Sequence, residues 1–289
     1  MGHNPQKIKE RILKREKQNI TENKNNPTNT FVGVDALVGL PPLQPNEIYN
    51  DDSFKLIERV PAKTVDLILE DMPYNTTACE WDVKIDLELY WKTRLRILKP
   101  AGVIALTARQ PFTSMIVMSN LPMYKHKWTW NKKQSGSFQN AKYMPLQIEE
   151  DILIFGEGRI NYYPIMKKGK LRVKGGSKKE NEIADGLGSN HITINDDYYP
   201  TNIIDDFPNC SNKNENFHPT QKPAGLFEYL IRTYTNEGDL VFDGFGGSGT
   251  TAIAAHKSKR NFIVIEKEKK YFDLAKRRLD NERAQLTML

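Results

Sequence analysis

Apolar runs and polar gaps divide the chain into short strands and amphipathic helices. Val65 to Leu69, Val103 to Thr107, Leu240 to Phe242 and Phe262 to Glu266 are nearly continuous apolar runs. Runs of that kind suit strands covered on both faces of a parallel sheet. Glu47 to Asn50, Lys127 to Trp130 and Ile152 to Phe155 bring the candidate strands to seven. The last two are expected to pair antiparallel at the sheet edge. Between the strands the period changes to that of a helix. Phe54, Leu56 and Ile57 mark one short helix. Asp86 to Leu98 places Leu87, Trp91, Leu95 and Leu98 on one face, and Lys99-Pro100-Ala101-Gly102 stops it. Pro111 to Ser119 is helical, and Lys222 to Thr235 turns Leu226, Tyr229 and Leu230 inward.

The stretch from Asp239 to Thr251 has the densest chemistry. A short apolar strand enters a turn containing Gly244, Gly246, Gly247 and Gly249, and Thr250 and Thr251 lead into a helix. The strand that follows ends in Glu266, about 20 residues after the turn, as in a dinucleotide-type layout where an acid holds ribose hydroxyls. No lysine stands where a P-loop needs one, and the strict G-x-G-x-x-G is absent. A tight turn with no ligand also explains the glycines; the acid is what favours a nucleotide. One helix, one strand and a final helix follow this loop, too few to complete a doubly wound sheet. The missing strands must come from the N-terminal half, so the order is that of a circularly permuted α/β domain.

A second motif, Asp71-Met72-Pro73-Tyr74, sits where a predicted parallel strand ends. Open α/β sheets place ligands on that edge. A carboxylate and a nearby carbonyl suit a planar amine on a nucleobase, whose lone pair is delocalised into the ring. Pro73 stiffens the turn and Tyr74 offers a stacking face. A plain turn after a strand is the structural alternative.

Composition adds less. At 289 residues, 38% hydrophobic and 27% charged, the chain suits one large core with an inserted smaller lobe. No apolar run reaches membrane length, the N-terminus is polar, and a signal peptide is not expected. Cys79 and Cys210 make neither a disulfide framework nor a zinc site, which points to the reducing cytoplasm. No cluster has metal-ligand spacing, so no metal is expected. Net charge is +6, which favours a polyanionic partner. Residues 1–30 read as a flexible polar tail, with a helix over Lys7 to Gln18. Between Arg159 and about Glu215 apolar periodicity fades. Lys167, Lys168, Lys170, Arg172, Lys174, Lys178 and Lys179 cluster there, flanked by Tyr162, Tyr163, Tyr198 and Tyr199. Basic residues with interleaved aromatics suit nucleic acid, and a solvated insertion loop fits the composition equally.

The two motifs together resemble the β class of S-adenosylmethionine-dependent DNA amino-methyltransferases, in which a catalytic Asp-Pro-Pro-Tyr precedes the cofactor glycines. The resemblance runs from about Ile48 to Arg278. It takes in Asn50 to Ser53, Leu98 to Gly102 and the specific signature from His218 to Pro223. Asn75 to Asp82 and Ala108 to Ser114 are most similar to phage- and prophage-type adenine methyltransferases.

The resemblance implies a Rossmann-like seven-stranded methyltransferase sheet, permuted, with catalytic residues 31–158, a target-recognition insert at 159–217 and a cofactor half at 218–289. It implies catalysis by Asp71, Met72, Pro73 and Tyr74. It implies that S-adenosylmethionine is held by Asp52, Ser53, Asp71, His218, Thr220, Gln221, Lys222, Asp243, Gly244, Phe245, Gly246, Ser248, Gly249, Thr250 and Glu266. The basic cluster would contact duplex DNA. Trp128, Trp130 and Phe138 are candidates to shape the pocket, with packing in the core at the edge strand the favoured role for at least one tryptophan. Adenine N6 is the expected target, with cytosine N4 as the rival. A homodimer and a cognate restriction endonuclease are compatible partners. Three letters depart from the pattern: Met72 replaces a proline, Gly244 replaces a proline and loosens the turn, and Glu149-Glu150 replaces His-Glu, so no catalytic role is assigned there.

Overall fold

A computed structural model of the chain describes residues 40–73, 85–135, 138–174, 193–209 and 221–287. The chain divides into Met1–Leu40 and Pro41–Leu289. Of the first unit only Leu40 is described, so the predicted tail and its helix lie outside the described residues.

The second unit is built on a mostly parallel sheet. Its strands are β1 (Glu47–Asn50), β2 (Val65–Glu70), β3 (Leu98–Ala108), β4 (Tyr124–Asn131), β5 (Glu149–Phe155), β8 (Ile203–Ile204), β9 (Leu240–Asp243) and β10 (Asn261–Glu266). They lie in the order β1-β10-β9-β2-β3-β5-β4-β8. Only β5 runs against its neighbours, β3 and β4. All seven expected strands are present, and β4 and β5 do pair antiparallel. The expected edge is different, because β8 covers β4 in parallel at Thr129 and Trp130. A two-residue strand carries no period to read. It is held instead by Thr129 N donating to the Asn202 carbonyl (2.8 Å) and by the Trp130 indole donating to the Phe207 carbonyl (2.6 Å).

Helices cover both faces because alternate side chains of each buried strand point to opposite sides. Leu67, Leu69, Val103, Ala105, Trp128, Trp130, Ile152 and Ile154 face one core. There they meet α4 (Ala224–Tyr234), α5 (Thr250–Lys257) and α6 (Lys269–Thr287). Ile68, Ile104, Leu106, Leu153, Phe155, Phe242, Ile263 and Ile265 face the other. There they meet α1 (Ser53–Leu56), α2 (Leu87–Ile97) and α3 (Phe112–Ser119). Asp86 caps α2, its carboxylate accepting from the amides of Glu88 (3.0 Å) and Leu89 (3.2 Å). Such a cap contributes about 1 kcal/mol.

Within the basic segment, β6 (Lys167–Lys174) and β7 (Thr193–Tyr198) form a separate antiparallel ribbon. The main sheet has the permuted order. Strand β9, late in sequence, stands between β10 and the early β2. Chain order reverses there, and the carboxyl ends of β9 and β2 open side by side, the switch point where such sheets take ligands.

Candidate active site

The glycine turn leaves β9 and enters α5. The Gly246 amide donates to the Ile265 carbonyl (2.9 Å), so close to β10 that a Cβ would lie 2.4 Å from Val264 Cγ1. Gly249 has φ +79°, and a Cβ there would lie 2.7 Å from Ala275 Cβ on α6. Backbone conformation and space both demand glycine at 249. Among the described residues the nearest atom to a Cβ added at Gly247 is Phe245 O at 4.0 Å, so none of them crowds this side of the turn. The Ser248 hydroxyl lies 3.4 Å from that of Thr250, and Arg278 donates to the Ser248 carbonyl (2.5 Å).

Two buried carboxylates flank this turn. Asp243 accepts from the Thr251 hydroxyl (2.5 Å) and the Phe245 amide (2.9 Å). Burial pushes its carboxyl up to about 8; Thr251 opposes the rise and the Glu70 and Asp71 charges add to it. Glu266 accepts from the amides of Gly247 (2.6 Å) and Glu268 (2.7 Å). Burial raises it to about 6 against those two amides. Among the described residues neither acid has a salt-bridge partner, and each keeps its two hydrogen bonds. Asp52 caps α1, accepting from the Phe54 amide (2.9 Å), and its other oxygen lies 3.2 Å from Lys267 Nζ. Ser53 is buried, its hydroxyl accepting from Arg94 Nη2 (3.0 Å).

Beneath the turn lies an ion pair that pattern reading missed. Glu70, the last residue of β2, and Arg94 of α2 are both fully buried. Arg94 Nη2 (3.1 Å) and Nε (3.3 Å) donate to Glu70 Oε1, and the Tyr90 hydroxyl donates to Oε2 (2.6 Å). The guanidinium packs 4.7 Å from the Phe54 and Tyr90 ring centres and 5.4 Å from that of Phe245. The Gly244 amide also donates to Glu70 Oε1 (2.9 Å). An added Cβ at 244 would meet Arg94 Nη2 at 2.6 Å and Glu70 Oε1 at 2.8 Å. Gly244 thus does not loosen the turn; it makes room for the ion pair and ties the turn to β2. A proline would remove that amide. The only sequence signals were an acid ending an apolar strand and an arginine beside the buried face of an amphipathic helix.

Asp71 is the next residue. Its Oδ1 accepts from the Thr107 hydroxyl on β3, and its Oδ2 accepts from Lys222 Nζ (2.6 Å). Met72 is buried and Pro73 partly exposed. Lys222 also lies 2.9 Å from Glu150 Oε1 on β5, an electrostatic contact whose angle is not that of a hydrogen bond. Lys132 lies 3.5 Å from Glu150 Oε2. Burial works against the charge of Lys222, but Asp71 and Glu150 overcome it and raise its pKa above the ordinary lysine value. The Lys222 carbonyl faces the Thr250 hydroxyl at 3.5 Å. The two predicted motifs therefore meet twice, through Glu70 and Gly244 and through Lys222. Gln221 precedes that link. Tyr74, His218 and Thr220 lie outside the described residues, as do Cys79 and Cys210. Trp128 and Trp130 are buried in the core, with the Trp128 indole donating to the Tyr234 hydroxyl (2.6 Å), while Phe138 is exposed.

The DNA methylase family's sequence pattern matches residues 65–277, most of the chain and both motifs. The chain belongs to the DNA methylase family. The type II methyltransferase M.HpaI of Haemophilus parainfluenzae is 31% identical to the methylase over 245 residues, covering 80% of this chain and 73% of that protein. The DNA adenine methyltransferase YhdJ of Escherichia coli K12 is 29% identical over 249 residues, covering 81% and 82%. Among solved structures, the M1.HpyAVI–SAM complex superposes with a TM-score of 0.55 at 25% identity, covering 81% of this chain and 98% of that one. The cytosine-N4-specific PvuII DNA methyltransferase shares the fold, with a TM-score of 0.60 at 16% identity over 84% and 93%.

In the methylase's basic segment, acids already occupy part of the predicted cluster. Lys167 pairs with Asp206 (2.7 Å), and Lys168 with Asp196 (3.1 Å) and Asp197 (3.0 Å). Arg172 lies over the Tyr198 ring at 4.9 Å, and the Tyr198 hydroxyl donates to the Lys170 carbonyl (2.6 Å). Lys174 ends β6. Lys178 and Lys179 lie outside the described residues.

Proposed function

We propose that the methylase transfers a methyl group to adenine N6 in duplex DNA. The observation that carries this is the Asp71 carboxylate at the end of β2, joined through Lys222 to the glycine turn at the switch point. S-adenosylmethionine is the cofactor, and it supplies a methyl group already activated on a sulfonium. The residues present fit it. No described residue crowds the turn at Gly247, and the buried Asp243 and Glu266 would be relieved by cationic groups and hydroxyl donors. Asp243, the 244–250 turn and Glu266 would hold it, with Asp52, His218, Thr220 and Gln221 completing the pocket, while the Lys222 ammonium is turned to Asp71.

Asp71 accepts an N–H of the target amine and steadies the charge that develops on nitrogen, which then loses its proton readily. The rest is in-line positioning. The amine is inaccessible inside the stack, so the base must be extruded, with Tyr74 stacking on it. The 159–217 segment reads the DNA, with Lys170 and Arg172, which pair with no acid among the described residues, as its cations at the ribbon. An acid at the start of the motif supports adenine over cytosine, whose enzymes usually begin it with serine. The type II name of M.HpaI supports a cognate endonuclease. A homodimer and the cytoplasm of a bacterial or phage-infected cell complete the proposal.

The test is incubation with labelled S-adenosylmethionine and unmethylated plasmid DNA, followed by digestion to nucleosides. Label in N6-methyladenosine is expected. Label in N4-methylcytidine, or an Asp71→Ala variant that keeps full rate, overturns the proposal.

A further inference from the structure

We infer that Glu150 and Lys222 are positioning residues that fix the Asp71 carboxylate before the base arrives. This rests on the proposed function and assigns Lys222 to the base side of the site. The Lys222 ammonium stands between two carboxylates, 2.6 Å from Asp71 Oδ2 and 2.9 Å from Glu150 Oε1. The Lys222 and Glu150 side chains are 9% and 6% exposed, and that of Asp71 is 21% exposed. Taking such charges out of water is expensive and weakly stabilising at best, so buried ion groups are poor devices for stability alone. Their arrangement is what they provide. Thr107 holds Asp71 Oδ1 and Lys222 holds Oδ2, which sets the carboxylate plane.

Glu150 acts through Lys222. It comes from β5, the strand of the main sheet that runs against its neighbours, whose first residues stand at the carboxyl edge of β3 and β4. Its contact keeps the lysine from swinging toward solvent or toward the cofactor turn, and Lys132 at 3.5 Å balances its second oxygen. With Asp71 the four groups carry no net charge, so the clamp adds no repulsion when a cationic cofactor binds nearby. Carboxylate placement matters steeply, since an error of about 1 Å in an active site costs about 100-fold in rate.

The experiment compares wild type with Glu150→Gln, Lys222→Met and the double variant on unmethylated plasmid DNA, with cofactor affinity measured by calorimetry. Lys222→Met should lower kcat about 100-fold and Glu150→Gln about tenfold, with cofactor affinity held within about twofold. The double variant should be no slower than Lys222→Met alone, because the two act as a unit. A second measurement needs no turnover: an amine-acylating reagent should modify Lys222 at least about tenfold more slowly than exposed Lys170, and Glu150→Gln should narrow that gap. Wild-type kcat in Glu150→Gln, multiplicative losses in the double variant, cofactor affinity falling in step with kcat, or Lys222 labelling as fast as Lys170 would each overturn the inference. Protection of Lys222 with no transfer to any DNA would overturn the proposed function and this role with it, leaving only the ion cluster.

Discussion

Gly244→Ala is the sharpest perturbation of this fold. The new Cβ would sit 2.6 Å from Arg94 Nη2, 2.8 Å from Glu70 Oε1 and 3.0 Å from Ser53 Oγ. All three distances fall well inside ordinary van der Waals contact of roughly 3.5–4.0 Å. Overpacking of this kind costs about 1–3 kcal/mol. The guanidinium is the element that yields, and its retreat stretches a charge-assisted bond to Glu70 worth about 1.5–3 kcal/mol. The expected destabilisation is therefore about 2.5–6 kcal/mol, a large share of a typical total of about 5–15 kcal/mol. Urea unfolding followed by tryptophan fluorescence reads it directly. Arg94→Met supplies the control. Alone it strands Glu70 as a buried unpaired charge and should cost about 3–5 kcal/mol. In that background the obstruction is smaller and flexible, so Gly244→Ala should cost at least about 1 kcal/mol less than in wild type. Gly244→Pro, the residue of the resembled motif, should be at least as damaging as alanine because it also removes the amide bonded to Glu70. An alanine variant within about 1 kcal/mol of wild type, or strict additivity in the double variant, would refute the reasoning.

Cofactor binding should expel a proton. The Asp243 carboxyl of the free protein is raised to about 8, and a cation beside it favours the anion, so its pKa falls on binding. Affinity should rise up to about tenfold per pH unit from 6 toward 8 and level off above; calorimetry in two buffers of different ionisation heat checks this, and Asp243→Asn should flatten it. Thr107→Val removes a donor to Asp71 and should slow transfer about tenfold while stability, read by thermal melts, changes by about 1 kcal/mol. Lys170→Ala and Arg172→Ala should each reduce the slope of log affinity against log salt by about one, and Lys167→Ala and Lys168→Ala by less, because aspartates already hold those lysines. Equal slopes in all four variants would remove the ribbon from the DNA interface.

The sheet was legible because its parallel strands are buried on both faces and leave continuous apolar runs such as Val65 to Leu69. The permuted order followed from counting strands after the glycine turn. Asp71 and that turn were legible as short motifs. Interactions between distant residues were not. Glu70 and Arg94 are 24 positions apart and reveal themselves only when α2 packs beside β2. Lys222 reads as part of the cofactor wall until its side chain is seen 151 positions away on Asp71. The Glu149-Glu150 pair carries no sequence signal because Glu149 stands where the resembled family has histidine, yet Glu150 lies 2.9 Å from that lysine. The basic segment read as a cationic cluster since its balancing acids, Asp196, Asp197 and Asp206, come from β7 and the loop beyond β8.

The central place of β9 has a consequence for synthesis. A ribosome makes β1 to β5 first, and β2 then waits as an open edge with all six of its residues destined for burial. Only when the last fifth of the chain emerges does β9 slot between β2 and β10, closing that edge with a contact 174 residues long in sequence between Glu70 and Gly244. A nascent or C-terminally truncated chain therefore has an exposed, aggregation-prone seam where the finished molecule has its cleft, and the enzyme becomes whole and active in one late step.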